Sequence, residues 1–281
     1  MREKMNPRIK PKITVVPRRS GSFLAVLFKV FLAIVIVVTI AGCSFLSSAT
    51  EKNRTASAIE RQRRNASEIV SLILSESDTN QRTIPESIEL SVPCLMQNPE
   101  LPTGCESVAL TNALLFYGFE LEKTTIADKW LPLSDDDFVN SFLGNPRDPS
   151  SNSCMAPCLT QTANSFLEAQ GSQLRARDIS GIAFEGLLSL VGQGKPIIVW
   201  STIDLMEVGA PYRTQIQDDI TYFLFKGSHC VVISGYDHNK SLITVCDSLS
   251  GLVLYDKATF TDRYYSMGSQ AIVFEERNTL S

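Results

Sequence analysis

The chain has 281 residues, 44% of them hydrophobic and 20% charged, a globular composition that excludes a disordered or fibrous polymer. Residues 1–20 hold seven Lys/Arg against one Asp/Glu, a net of +6, and the rest carries −10. An acidic body of that kind argues against nucleic acid as a partner.

Residues 1–22 form a basic leader, and an apolar run over 23–42 follows it, broken only by Lys29. Two devices fit this pattern. One is a signal-anchor helix with its basic flank in the cytoplasm. The other is a cleaved signal, because Ile40-Ala41-Gly42-Cys43 resembles a bacterial lipobox in which Cys43 would be lipidated. Either device holds the protein to the membrane and leaves everything after Cys43 on its outer face. Residues 43–87 are polar and free of glycine, and they read as a stalk. Ala56, Ile59, Ala66, Ile69, Val70 and Ile73 recur at helical spacing, predicting a helix over 55–74.

The domain proper is expected over 88–281. Ile88, Leu90 and Val92 alternate as a strand does, and Pro93 ends it. After Gln97 comes Leu101-Pro102-Thr103-Gly104-Cys105-Glu106, where an extended segment enters a helix that Gly118 stops. Thr103 and Glu106 have capping-box spacing, which places Cys105 in the first helical turn. There the free N–H groups and the macrodipole favour a thiolate; the plainer reading is a small buried hydrophobe. Ser134-Asp135-Asp136-Asp137 reads as a helix cap before Phe138 and Phe142, since it lacks the ligand spacing of a calcium loop. A surface loop is expected over 144–157, then helices over 159–170 and 182–191. Pro196–Trp200 reads as a buried strand and 204–226 as a crossover. Strands over 229–236, 242–247 and from 252, closed by 271–274, complete an antiparallel meander. Helices first and strands after make an α+β domain.

The chain has two histidines. His238 falls in a turn, where a solvated side chain is expected, and His229 opens an apolar strand. With a turn centred on His238, His229 lies opposite Asp247 and Cys230 opposite Cys246. His229 and Asp247 then share one sheet face. A carboxylate beside an imidazole fixes its tautomer and stabilises its cation, as a Cys nucleophile with a His base requires. The plainer reading is a structural His–Asp pair. Gln97 is placed to join the Cys105 N–H in an oxyanion hole. Setting Cys43 and Cys105 aside leaves five cysteines, an odd number that cannot all pair. Cys154 and Cys158 form a lone C-x₃-C, weak as a metal site. Buried thiols with one disulfide are expected.

Gln97 and Pro102–Glu106, Phe142–Pro146 with Cys154–Pro157, His229–Asp237, and Asp247–Gly251 appear in the order seen in papain-like cysteine peptidases of family thirty-nine. The chain resembles, more narrowly, their secreted branch related to the bacteriocin double-glycine leader peptidases, over residues 88–276. The resemblance implies a papain-like fold, with Cys105 as nucleophile, His229 as base, Asp247 as orienting acid and Gln97 in the oxyanion hole. It implies no cofactor or metal, a peptide or protein substrate, and a monomer. Two features depart from the pattern: the gap from Gln97 to Cys105 is longer than usual, and no transporter or ATPase part is present. The alternative is a catalytically silent papain-like domain that binds cell-wall or peptide ligands in the same cleft.

Overall fold

A computed structural model describes residues 84–277, together with Ser67, Glu68 and Ser71. Those three are helical; the rest of the expected helix over 55–74, the leader, the apolar run and Cys43 lie outside the described residues.

A seven-stranded antiparallel sheet forms the centre of the domain. Its strands are β1 (Ser87–Glu89), β4 (Leu174–Asp178), β5 (Ile197–Thr202), β8 (Ser228–Asp237), β9 (Leu242–Asp247), β10 (Gly251–Asp256) and β11 (Ala271–Glu276). They lie in the order β10-β9-β8-β5-β11-β4, with β1 added to the far half of β8. Helices α1 (Cys105–Phe116) and α3 (Ala156–Ala169), with the short α2 (Thr125–Lys129) between them in the chain, are the helices on one side; α1 and α3 cover that face, packing on Ile198, Trp200, Cys230, Val232 and Phe274. Helices α4 (Phe184–Gly192) and α5 (Lys257–Ser266) cover the other, on Val199, Val231, Ile233 and Val245. Strands buried on both faces need apolar residues at every position, which is why β5 and β8 read as unbroken apolar runs. Every residue of α1 from Cys105 to Leu114 is buried, so this helix has no solvent face.

The β8–β9 ladder differs from the expected register. The strands pair as Asp237 with Leu242 and Gly235 with Thr244, then as Ile233 with Val245 and Val232 with Cys246. The turn is therefore centred beyond His238, and Ser234 is an extra residue in β8, a bulge. Had the register at the turn continued without the bulge, His229 and Asp247 would point to opposite faces. The bulge restores the parity. Gly235 follows it because a Cβ there would meet the Ile88 carbonyl oxygen of β1 at 2.3 Å.

Four parts of the expected layout change. Residues 138–141 bend without forming a helix, between the two strands of a short parallel pair, β2 (Leu133–Ser134) and β3 (Phe142–Leu143). The Ser134 and Asp137 side chains do accept backbone N–H groups, as capping residues do. The Phe138 N–H, however, goes to Gln215 Oε1, and side-chain partners of this kind replace the helical ladder. The crossover contains a hairpin, β6 (Arg213–Gln217) and β7 (Ile220–Leu224), turned by Asp218 and Asp219 at positive φ. Strand β4 and helix α5 were not expected. The closing strand β11 pairs with β5 and β4, so the meander is limited to β8, β9 and β10.

Candidate active site

Cys105 is the first residue of α1, at the junction the sequence predicts, but the expected capping box is absent. Gly104 is the N-cap, and a Cβ there would meet Leu101 Cβ at 2.8 Å and Pro146 Cβ at 3.2 Å. The Thr103 hydroxyl turns away and donates to the Asp148 carbonyl at 2.9 Å. Glu106 faces inward and is fully buried, so its carboxylate cannot reach back to the cap. It accepts the Ser153 hydroxyl and the Cys154 N–H, and its other oxygen lies 3.2 Å from Cys105 Sγ.

Cys105 is 6% exposed, at the wall of a cleft of about 310 Å³ that Gln97 and His229 also line. Burial, and then the charge of Glu106, push its thiol well above the ordinary range. That is the reverse of the easy ionisation expected of a helix-start thiol: the helix terminus is outweighed by burial and a neighbouring carboxylate. Among the described residues no hydrogen bond joins Cys105 to His229.

His229 and Asp247 are each 2% exposed, and His229 Nε2 lies 2.8 Å from Asp247 Oδ1. They are diagonal neighbours on one face, not directly opposite, because the register differs by two residues from the expected one. The same Asp247 oxygen accepts the N–H groups of Leu249 at 2.7 Å and Ser250 at 3.2 Å, and Oδ2 accepts the Tyr255 hydroxyl at 3.2 Å. Burial alone would raise the Asp247 pKa, but the His229 ring and the backbone donors bring it below the usual carboxylate value. With Nε2 on the carboxylate, Nδ1 is the ring nitrogen left to exchange a proton with a thiol. His238 stays at the hairpin turn, its ring 4.4 Å from that of Tyr236.

Gln97 is held at both ends of its amide. Oε1 accepts the Ser248 hydroxyl at 2.6 Å, and Nε2 donates to the Pro102 carbonyl at 2.9 Å, leaving one N–H beside the start of α1. The disulfide joins Cys94 to Cys246, while Cys105, Cys154, Cys158 and Cys230 are free and buried. Cys230 does not face Cys246, because Val232 occupies that register position. Among the described residues no group of three ligands could hold a metal.

A family model, the Peptidase_C39 like family, matches residues 89–272. The chain belongs to that family. Among solved structures, a protein described as a C39-like peptidase from Bacillus anthracis is similar at 25% identity and a TM-score of 0.59, over 69% of this chain and 99% of that one. The α+β, papain-like expectation therefore holds for the domain. Xylellain, a cysteine protease from Xylella fastidiosa, aligns at 12% identity and a TM-score of 0.37, over 69% of this chain and 87% of that one, too little to bear on the fold. No curated protein matches.

Sequence reasoning missed several residues of this C39-like site. Glu106 was given to the cap, although a carboxylate between a buried Cys and an apolar run has few places to go but inward. Ser248 and Tyr255 were not singled out. Asp-Ser-Leu-Ser-Gly at a strand end was a usable signal, since Asp there bonds the N–H groups that follow it. The hairpin was missed entirely, yet Tyr212, Leu224 and Phe225 from it and its flanks line the cleft. Ser151 to Ser153 of the expected surface loop line it as well.

Proposed function

We propose that this chain is a membrane-tethered, extracellular cysteine peptidase. Cys105 attacks the peptide carbonyl, His229 takes its proton and returns it to the leaving amine, and Asp247 orients the ring and stabilises its cation. Gln97 and the Cys105 N–H hold the oxyanion. The observation that carries this reading is the buried 2.8 Å His229–Asp247 contact beside the cleft that Cys105 lines. A buried imidazole needs no carboxylate for packing, and a carboxylate gathering four donors is well suited to stay charged when the ring ionises. The disulfide fits the oxidising side of a membrane. The leader and apolar run supply the tether, through either lipidated Cys43 or an uncleaved anchor; loss of membrane retention in Cys43→Ala selects the first.

The protonated, Glu106-bonded thiol is the one feature that favours the silent binding domain. Digestion of a peptide library by the purified full chain, followed by mass spectrometry, separates the two. Cleavage by the parent and none by Cys105→Ala supports the peptidase; identical digests from both, with peptide still bound, leave the binding domain.

A further inference from the structure

Glu106 presents two oxygens in different surroundings. Oε1 accepts two hydrogen bonds, from the Ser153 hydroxyl and from the Cys154 N–H at 3.2 Å. Oε2 has the Cys105 sulfur at 3.2 Å. Ser153, Cys105, Cys154 and its own N–H are the groups that act on this carboxyl. From β8, Cys230 faces it as a buried thiol, and Cys158 of α3 lies beside Cys154 behind it. His229 and Lys226 are the basic side chains lining the cleft, and among the described residues neither Lys nor Arg pairs with Glu106.

A thiolate and a carboxylate in contact, buried, with no cation between them, is an arrangement a protein interior does not hold. One of the two must keep a proton. When Cys105 is the anion the proton belongs to the carboxyl, and since Oε1 is occupied by two donors its place is Oε2, on the line to sulfur. We propose that Glu106 is the proton-sharing partner of the nucleophile: in the reactive form the Cys105–Glu106 pair holds a single negative charge, the neutral acid donating its Oε2–H to the Cys105 thiolate. The proton count is simple. Starting from thiol and neutral acid, the thiol proton passes to His229, its bonding electrons stay on sulfur, and the Glu106 O–H bond remains intact, so the pair goes from neutral to one negative charge. Only at higher pH does the second proton leave and the pair become a dianion, so the two groups titrate as one coupled unit.

This rests on Cys105 as the nucleophile, and the test reads the thiol instead of hydrolysis. Alkylation of Cys105 by iodoacetamide, followed on its peptide by mass spectrometry, is measured across pH in the full chain. The parent should rise in two steps. Glu106→Gln puts an amide N–H where the acid O–H was and cannot ionise, so it should rise in one step, at lower pH than the parent's second step. Glu106→Ala, lacking the donor, should rise in one step at higher pH than the Gln variant. Ser153→Ala removes a donor that favours the carboxylate, so the parent's second step should move to higher pH; this variant keeps the test open if Glu106→Ala does not fold. A one-step parent, a Glu106→Gln curve that superimposes on the parent, or Gln and Ala variants that react alike would each overturn the proposal. Two-step alkylation without peptide cleavage removes the peptidase reading alone; cleavage with a one-step parent removes this one alone.

Discussion

Asp247 draws its donors from three parts of the chain: the His229 ring, the Leu249 and Ser250 N–H groups of its own turn, and the Tyr255 hydroxyl of β10. Against burial, the His229 ring and the two N–H groups hold its pKa down. A carboxyl depressed by folding contributes stability that is present above its unfolded pKa and is lost as pH falls through the folded one. Thermal melts should therefore weaken in acid, below about pH 4, and Asp247→Asn should flatten that fall. The same variant still accepts the three Oδ1 bonds but no longer offsets an imidazolium. Its kcat/KM should drop roughly a hundredfold while Cys105 remains alkylatable. His229→Ala should remove hydrolysis altogether, because His238 sits at the hairpin turn against Tyr236. An Asp247→Asn enzyme as fast as the parent would show that geometry, not charge, is what the aspartate supplies.

At the scale of elements, the bulge at Ser234 keeps His229 and Asp247 on one face. Gly235 beside it has no room for a side chain, with the Ile88 carbonyl and Glu89 Cα against it. Gly235→Ala should push β1 away from β8 and cost about 2 kcal/mol, measured as a lower urea midpoint. This ladder also shows why some of the fold was visible in the residues and some was not. Long apolar runs identified β5, β8 and β9, and glycines marked the ends of α1 and α3, because both signals are local. The right face for His229 and Asp247 was reached through a register wrong by two residues, and an even error preserves parity. A bulge leaves no mark in composition, so the true register was hidden. Strand β4 was hidden by Arg175 and Arg177, which pair across the ladder with Glu275 and so look like solvent residues. Helix α5 buries only Phe260 and Tyr264, too thin an apolar stripe to stand out, although Asp256 caps it at Thr259. The hairpin turns on Asp218-Asp219 in place of a glycine pair. At the site, the residue types of Cys105, His229, Asp247 and Gln97 were readable; the inward turn of Glu106 depended on packing that no short motif records.

Across the whole molecule, the disulfide spans a sequence separation of 152 residues. Closing so long a loop restricts the unfolded chain, and Cys94→Ser should cost about 4 kcal/mol, read from urea midpoints at equal protein concentration. One partner lies three residues before Gln97 and the other immediately before Asp247, so a single covalent bond secures two walls of the cleft that come from opposite ends of the domain. The proposed nucleophile asks the opposite of its solvent: Cys105 must stay reduced while Cys94 and Cys246 stay oxidised. The routine precaution of assaying a thiol enzyme in excess dithiothreitol would then work against the enzyme itself. Hydrolysis plotted against reductant concentration should pass through a maximum, rising as Cys105 is freed and falling as the clasp opens. Cys94→Ser should lose the falling limb.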